Sequence, residues 1–282
     1  MTFFSIVTPI YNGVSFFHDY FSSLYSQTFT DWEAILVDDN SSDNSISKVL
    51  FYTNTDTRFK LLSSKDFPVF SKIKGPYHPR NIALSVAKGK YVCFLDIDDY
   101  WLPDKLYLQH QAIIADPSIL VLISRFYKAD SSLTKGYLKP VIDIIPIQYQ
   151  ILFWNPIPML TSCVRFDILK DIYFPPMHHE DFVFWHKVLS ALPKGKIFVF
   201  QKPLAIYRSS DFSVSSDKRK VFQWWLECFK IFGYPIYISL FFLVIKLLAE
   251  FFEFILVFLR IVPIVNLASI IDNPSIPSDL SS

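Results

Sequence analysis

The first hundred residues alternate between short apolar runs and amphipathic stretches. Apolar runs predict buried strands at residues 3–8, 32–37, 59–64 and 91–95. The stretches between them predict helices from about Val14 to Gln27, from about Ser45 to Tyr52, and over residues 80–89, where Gly89 would close the helix. Strand and helix alternating in this way are typical of an α/β fold with a parallel, doubly wound sheet. Of all its features, this pattern restricts the fold most.

Polar side chains follow the apolar runs. Tyr11 comes after the first run, Asp38 and Asp39 after the second, and the segment 96–99 after the fourth. In open parallel sheets, ligands bind beyond the carboxyl ends of the strands. We therefore expect these side chains to meet at one edge of the sheet and to form the functional site.

The most acidic of these positions is the turn in YVCFLDIDDYW, residues 91–101. Asp96 and Asp98 are two positions apart, so an extended backbone sends both side chains to the same side. Two like charges on one side raise each other's pKa unless a cation or a donor intervenes. Oxygen ligands of this kind suit Mg²⁺ or Mn²⁺, which keep open positions for water and substrate phosphates. The alternative is a solvated polar loop.

Composition excludes several classes of protein. The formal net charge is +1, so no overall field attracts nucleic acid, and we expect no nucleic-acid partner. Three widely spaced cysteines, Cys93, Cys163 and Cys228, suggest neither a disulfide framework nor a zinc site. Only six glycines occur, without a GxGxxG or GxxxxGK[ST] motif, which argues against dinucleotide and P-loop sites. The N-terminus has no features of a secretory signal.

The middle of the chain is less regular. A helix is expected after Pro103, mixed strand and loop over 136–165, a helix over 180–192 and a strand over 196–208. The predicted organisation is one domain in two halves, followed by an apolar helical region and a disordered tail. The boundaries are 1–101, 102–216, 217–272 and 273–282.

The stretch 234–263 is almost entirely apolar apart from a narrow polar seam on one side of the predicted helix. The seam consists of Ser239, Lys246, Glu250, Glu253 and Arg260. The three central charges nearly cancel the apolar insertion energy, so an in-plane helix or a hairpin lying on the membrane is favoured over a single span.

A basic and aromatic segment precedes this helix and would anchor it at the interface. It contains Lys218, Arg219, Lys220, Trp224 and Trp225. The alternative is a dimer or core helix whose polar seam alone meets water.

Five segments occur in an order and spacing that resemble family 2 glycosyltransferases of the GT-A fold. They are SIVTPIYNG, WEAILVDDNSSDNS, RNIALSVAKGKYVCFLDIDDYWLPDKL, HEDFVFWHKVL and LAIYRSSDFSVSS, and together they cover roughly residues 3–216. The resemblance implies an inverting, metal-dependent transfer of sugar from a nucleotide-sugar, most simply a UDP-sugar.

The resemblance also implies roles on the donor side. Pro9 and Tyr11 would pack on the nucleotide base, and Asp39 of the Asp38–Asp39 pair would accept a hydrogen bond from uracil. Arg80 would lie near the nucleotide, although it could be an ordinary surface arginine. In the DDNSSDNS segment, helix capping is the expected role of Ser41 to Asp43.

The resemblance also implies roles in metal binding and catalysis. Asp98 would be the direct metal ligand, with Asp96 facing the ribose and also near the metal. Asp181 would be the catalytic base, which takes the proton of the acceptor hydroxyl, and Glu180 would orient it. Arg208 and Ser213 would close over the diphosphate, in a segment where many relatives carry a histidine and this chain has serines.

His178 and His179 could be metal ligands, but surface or supporting histidines are the commoner case. The acceptor is expected to be a lipid-linked or surface-polysaccharide glycan at the cytoplasmic side of a membrane. Two alternatives remain at this point: a phosphohydrolase of the haloacid-dehalogenase type with Asp96 as nucleophile, and a catalytically silent scaffold of the same fold.

Overall fold

The computed structural model describes residues 2–54, 56–68, 71, 73–140, 150–152, 157–193, 196–209 and 218–272. These residues form a sheet of ten strands that is covered by helices. The strands are β1 (Phe4–Ile10), β2 (Trp32–Asp38), β3 (Phe59–Ser63), β4 (Tyr91–Phe94), β5 (Tyr100–Trp101), β6 (Val121–Ala129), β7 (Lys135–Leu138), β8 (Cys163–Arg165), β9 (Ile197–Arg208) and β10 (Ile264–Asn266). The helices are α1 (Phe17–Tyr25), α2 (Ser45–Thr53), α3 (Tyr77–Val86), α4 (Lys105–Ala115), α5 (Glu180–Ala191), α6 (Lys218–Ile231), α7 (Ile236–Phe258) and α8 (Ala268–Asp272).

The first four strands form a parallel unit in the order β3-β2-β1-β4. Helices connect them, as right-handed crossovers between parallel strands require. All four predicted strands are present, which confirms the α/β fold. The carboxyl ends of β1, β2 and β4 therefore lie side by side, where the polar segments begin.

The second half of the chain continues the sheet with strands of mixed direction. β8 pairs antiparallel with β4 and with β6. β9 pairs parallel with β6, and its end pairs antiparallel with the short β5. The β6–β9 register shifts between Ser124 and Phe126, and irregularities of this kind bend a sheet. Through the β5 pairing, the end of β9 lies beside the acidic turn.

The core has one layer on each face of the sheet. Alternate residues of β1 show the division: Ile6 packs in the layer beneath α1 and α2, whereas Val7 packs in the layer that also holds Phe182 of α5. The alternation follows from the period of two along a strand. The three cysteines are free and buried, so they act as apolar packing residues.

Gly89 does not close a helix, and the predicted helix over 80–89 is wrong at both ends. α3 spans Tyr77–Val86, and Ala87 is already extended (φ −63°, ψ 141°). Gly89 instead passes so close to β1 that an added Cβ would lie 2.4 Å from the backbone nitrogen of Ser5. The residue is needed for close approach of two backbones.

The C-terminal helices pack on the same core as the parallel strands. Cys228 and Phe229 of α6 and Phe242 and Leu243 of α7 are buried in the layer that contains Val7. β10 adds to the sheet edge by pairing antiparallel with β7. The division of the chain at residues 101, 216 and 272 stays a prediction, and the tail 273–282 lies outside the described residues.

Part of the polar seam of α7 points into the protein, whereas Glu250 and Arg260 are exposed. The prediction that the seam alone meets water is therefore wrong, and a dimer that covers the helix stays a prediction. Ser239 and Lys246 are buried, and the Glu253 side chain is 14% exposed because it binds lysines of the sheet. The opposite side of α7 exposes large apolar side chains. They are Ile236, Tyr237, Leu240, Phe241, Val244, Leu247, Leu248, Phe251, Phe252, Phe254 and Phe258. Within the described part of the chain, no helix has both the length and the apolar content needed to cross a bilayer.

Candidate active site

A cavity of about 570 Å³ lies beyond the end of β4. Its acidic wall combines Asp96 and Asp99 of the turn after β4 with Glu180 and Asp181 from the first turn of α5. Arg80 of α3 lies between the two acidic pairs. A volume of this size is typical of small-molecule sites. The sequence predicted that Arg80, Asp96, Glu180 and Asp181 belong to one site, and all four line this cavity.

Arg80 joins the turn after β4 to α5. Its Nη2 donates to both Asp96 carboxylate oxygens, at 2.8 and 2.9 Å, and its Nη1 donates to Glu180 Oε1 at 2.6 Å. The side chain is only 4% exposed, so it is not a surface arginine. Burial opposes the charge of Arg80, but the Asp96 and Glu180 carboxylates outweigh that effect and raise its pKa.

The contact with Arg80 does not decide the pKa of Glu180. Burial raises its pKa to about 7, and the negative charge of Asp181 adds to the shift, so the attraction of Arg80 is outweighed. A carboxyl group that titrates near neutral pH at the start of a helix is poised to change its charge with small changes in its surroundings.

The acidic turn holds two further carboxyl groups with raised pKa values. The pKa of Asp98 rises to about 6 because of burial and the charge of Asp96. The pKa of Asp99 rises well above its usual value because of burial and the charges of Asp98 and Asp96. Asp99 also accepts a hydrogen bond of 3.1 Å from the backbone N–H of Arg208. The turn therefore concentrates negative charge that a cation would relieve.

Arg208 supports this turn from the end of β9. Its Nε donates to the backbone oxygen of Asp98 at 2.7 Å, and its Nη2 donates to Asp19 Oδ2 at 2.6 Å. Nη1 donates to the backbone oxygen of Ser131. A contact of Arg208 with a diphosphate stays a prediction, and Ser213 lies outside the described residues. Asp19 was missed by sequence reasoning, because only the folded chain brings α1 to β9.

The residues assigned to the nucleotide lie at the ends of β1 and β2. Pro9 is within β1, and Tyr11 follows it with 62% of its surface exposed. Asp38 is buried, and its Oδ1 has no hydrogen-bond partner in the described structure. Asp39 accepts a hydrogen bond of 2.8 Å from the Ser64 hydroxyl.

The polar segment after β2 ties the strand ends together. Asp43 accepts from the backbone N–H of Ser45 at 2.9 Å, as expected for a group at a helix start. Ser41 and Ser42 instead contact Asn12 of the β1 loop. Capping thus accounts for Asp43, but the predicted capping role of Ser41 and Ser42 is wrong because their contacts are with Asn12 and Asp38.

The two histidines before α5 pack on tryptophans. The His178 ring stacks on Trp224 at 3.8 Å between centroids, and the His179 ring stacks on Trp225 at 4.2 Å. Both tryptophans are therefore half-buried against these histidines, and their role as anchors at a membrane interface stays a prediction. His179 adopts a left-handed conformation (φ 55°), and burial lowers its pKa.

The carboxylates fit a divalent ion that is shared with a substrate. Across the residues with described positions, no group of three or more histidine, cysteine or acidic side chains forms a metal cage. Mg²⁺ sites often use only one or two carboxylates and complete the shell with water and phosphate oxygens. Arg80 occupies both oxygens of Asp96, and Asp98 does not line the cavity, so metal binding by Asp98 stays a prediction.

The cavity does not contain every predicted site residue. Arg80, Asp96, Glu180 and Asp181 line it. The remaining predicted residues lie around the strand ends, outside the lining: Pro9, Tyr11, Asp38, Asp39, Asp98 and Arg208. Sequence reasoning missed Lys128 and Lys139, which line the cavity, because isolated lysines at the end of β6 and after β7 carry no motif.

Comparison with known proteins identifies the family. The model of the family described as "Glycosyl transferase family 2" matches residues 5–213. The chain is 32% identical over 222 residues to the Escherichia coli UDP-Glc:alpha-D-GlcNAc-diphosphoundecaprenol beta-1,3-glucosyltransferase WfgD, covering 77% of this chain and 81% of the relative.

Solved structures share the fold. Residues 1–349 of S. aureus TarS in complex with UDP align with a TM-score of 0.59 and 26% identity, over 79% of this chain and 64% of that one. Glucosyl-3-phosphoglycerate synthase from Mycobacterium tuberculosis, solved with Mn²⁺ and UDP, aligns with a TM-score of 0.57 and 14% identity, over 80% of each chain. Since the family model covers most of the chain, the protein belongs to glycosyl transferase family 2.

Proposed function

We propose that the protein transfers a sugar from a UDP-sugar to a hydroxyl group of a lipid-linked or surface-polysaccharide glycan, with inversion at the anomeric carbon. The observation that carries this proposal is the position of Arg80, which joins the turn after β4 to the start of α5. It holds Asp96, which follows the donor-binding strands, against Glu180, whose neighbour Asp181 lines the same cavity. Asp96 on the proposed donor side and Asp181 on the proposed acceptor side thus line one cavity.

The donor's nucleotide would lie across the ends of β1 and β2. Tyr11 offers an exposed ring for the base, next to Pro9. The unpaired, buried Oδ1 of Asp38 is an acceptor without a donor, and such groups are rare unless a ligand or water satisfies them. Asp39 would accept a hydrogen bond from uracil in exchange for part of its contact with Ser64. The UDP bound to TarS is consistent with this donor class.

A divalent ion, Mg²⁺ or Mn²⁺, would be held by Asp98, with Asp96 nearby. Bound there, it supplies positive charge for the diphosphate that leaves. Two arginines hold the acidic turn in place. Arg208 binds the backbone of Asp98, and Arg80 binds the carboxylate of Asp96.

Asp181 would act as the base. It takes the proton from the acceptor hydroxyl as that oxygen forms a bond to the anomeric carbon, while the bond from this carbon to the diphosphate oxygen breaks. UDP leaves with the electron pair of the broken bond. Glu180 lies beside Asp181 and is held by Arg80, so it positions the first turn of α5.

The acceptor side would face a membrane. The outward side of α7 exposes a row of large apolar side chains, which is unusual for a protein surrounded only by water. The relative WfgD is named for a diphosphoundecaprenol-linked acceptor. We infer that α7 lies on the cytoplasmic surface of the membrane that holds such an acceptor, without crossing it.

The test is a panel of UDP-sugars with Mg²⁺ or Mn²⁺, in which slow donor hydrolysis and transfer to synthetic glycan acceptors are measured. Asp98→Ala should abolish metal-dependent turnover. Asp181→Asn should leave UDP affinity nearly unchanged and remove transfer. A fully active Asp181→Asn enzyme would exclude it as the base.

The two earlier alternatives predict other results. A covalent phosphate on Asp96 would indicate the phosphohydrolase, and failure to bind UDP with Mn²⁺ would indicate the silent scaffold. The family match supports neither of them.

A further inference from the structure

A second charged cluster lines the same cavity, apart from the acidic wall. Lys128 lies on β6 and Lys139 follows β7, and both face the cavity. Glu253 of α7 binds both of them: its Oε1 is 3.8 Å from Lys128 Nζ, and its Oε2 makes a closer pair with Lys139 Nζ. The Tyr137 hydroxyl donates to the same carboxylate at 2.8 Å.

Two ammonium groups share the single carboxylate that binds them directly, and the exposed Glu250 of the same helix is a further acidic neighbour of Lys139. Glu253 is 14% exposed, whereas the lysine side chains are 36% and 33% exposed, so the lysines retain surface that a ligand could contact. The cluster is therefore suited to an anion that enters from the cavity.

The cluster belongs to other elements than the proposed donor site. The proposed metal ligands belong to the turn after β4 and Arg208 ends β9, whereas these lysines belong to β6 and the segment after β7. Lys128 pairs in register with Tyr207 and so lies next to Arg208, which makes the donor KM the control that separates the two sites. Glu253 comes from α7, whose other side exposes the apolar row. The lysines thus lie between the cavity that contains Asp181 and the helix proposed to touch the membrane.

We propose that Lys128 and Lys139 bind the diphosphate that joins the acceptor sugar to its lipid, and that Glu253 is their counter-ion in the absence of this substrate. This inference rests on the proposed function and specifies its substrate class. An acceptor lipid at α7 would place its chain against the apolar row, its diphosphate at the lysines and its sugar near Asp181. Glu253 would compete with the diphosphate for the lysines.

The experiment compares two acceptors that carry the same sugar, one linked to a short alkyl chain through a diphosphate and one linked to it directly. The measured quantity is the ratio of their kcat/KM values. The wild type should prefer the diphosphate acceptor, and Lys139→Gln and Lys128→Gln should each reduce that preference about tenfold. Lys139→Arg, which keeps the charge, should retain most of it. Lys135→Gln is the matched control, because Lys135 is an exposed lysine of β7 outside the cavity lining.

Glu253→Gln supplies the second measurement. Removal of the competing carboxylate should lower the KM for the diphosphate acceptor severalfold and leave the KM for the alkyl glycoside unchanged. Equal use of both acceptors by the wild type, or an unchanged preference in both lysine variants, would overturn the inference. A donor KM that rises as much as the acceptor KM would also overturn it, by assigning the lysines to the donor.

Different results would contradict the proposed function and this inference. If the wild type neither hydrolyses nor transfers from any UDP-sugar, the proposed function is wrong. Transfer without preference for the diphosphate leaves that function intact and removes only the lysine site.

Discussion

Arg80 and Glu180 lie 100 positions apart in the chain, and Arg80 Nη1 donates a hydrogen bond of 2.6 Å to Glu180 Oε1. The arginine is 4% exposed and binds Asp96 with its other terminal nitrogen. Its loss would leave two carboxyl groups in the cavity without their cation. We expect Arg80→Met to lower the free energy of unfolding by about 3 kcal/mol, measured by urea denaturation at pH 7.

The control for this prediction is Arg165→Met. Arg165 forms a surface pair with Asp167, whose side chain is 63% exposed, so its loss should cost less than about 1 kcal/mol. Arg80→Lys should fall between the two, because a lysine keeps the charge but cannot bind both carboxylates with a planar fork. An Arg80→Met protein as stable as the wild type would show that the bridge is not needed for folding.

Gly89 gives a prediction about backbone packing. An added Cβ would lie 2.4 Å from Ser5 N and 2.7 Å from Phe4 C, and backbone atoms of a central strand cannot move aside easily. Gly89→Ala should therefore destabilise the protein by about 1–3 kcal/mol, measured as a shift in the urea midpoint. Lys88→Ala is the neighbouring control: its side chain is exposed, and its backbone contacts do not depend on it. Equal midpoints for the two variants would contradict the close approach.

Lys246 gives a prediction about pH. It is buried on α7, with its Nζ 3.8 Å from the centre of the Trp225 ring, and burial lowers its pKa from 10.5 to about 8. Between pH 8 and 10.5 the unfolded chain binds more protons at this lysine than the folded chain does. Stability from this group therefore rises as pH increases through that window, by up to about 3 kcal/mol.

The measurement compares wild type and Lys246→Met by urea denaturation at pH 8 and pH 10. Relative to the variant, the wild type should gain about 2 kcal/mol between the two pH values. Lys220→Met, a change on the neighbouring helix α6 at an exposed position, should leave the wild-type pH dependence in place. Parallel pH profiles for wild type and Lys246→Met would show that this lysine keeps its ordinary pKa.

The sequence was most informative where local periodicity decides the structure. Apolar runs of the parallel strands are buried on both faces, so their positions and the site at their ends could be predicted. Long-range partners could not be predicted in this way. Glu180 and Asp19 were not identifiable as partners of Arg80 and Arg208, because these pairs form only after the sheet has assembled.

The orientation of α7 shows a second limit. The period of the sequence separated a polar seam from an apolar side, but it cannot tell which side faces the protein. Lys139 and Lys128 bind Glu253, and Trp225 packs on Lys246, so this part of the polar seam turns inward, whereas Glu250 and Arg260 stay exposed. These partners come from β6, the segment after β7, and α6, and no pattern within 234–263 contains them.

The outward side of α7 leads to a prediction about membrane binding. Leu247, Phe251 and Phe254 are each about 60% exposed and lie on one side of the helix. Replacing all three with serine should reduce binding to anionic phospholipid vesicles by at least about 100-fold, because each large apolar side chain contributes roughly 1–2 kcal/mol when it leaves water. Vesicle flotation measures the bound fraction, and circular dichroism checks the fold.

Point substitutions are better suited to this question than removal of residues 217–282. Cys228, Phe229, Phe242 and Leu243 are part of the main core, so truncation would expose apolar surface and confuse membrane binding with unfolding. The matched control replaces Ile46, Leu50 and Phe51, three exposed apolar residues of α2, with serine and should not change flotation. If the α7 variant floats like the wild type, these side chains do not bind the membrane. If the wild type forms a dimer in solution that the α7 variant disrupts, a second copy rather than lipid covers this face.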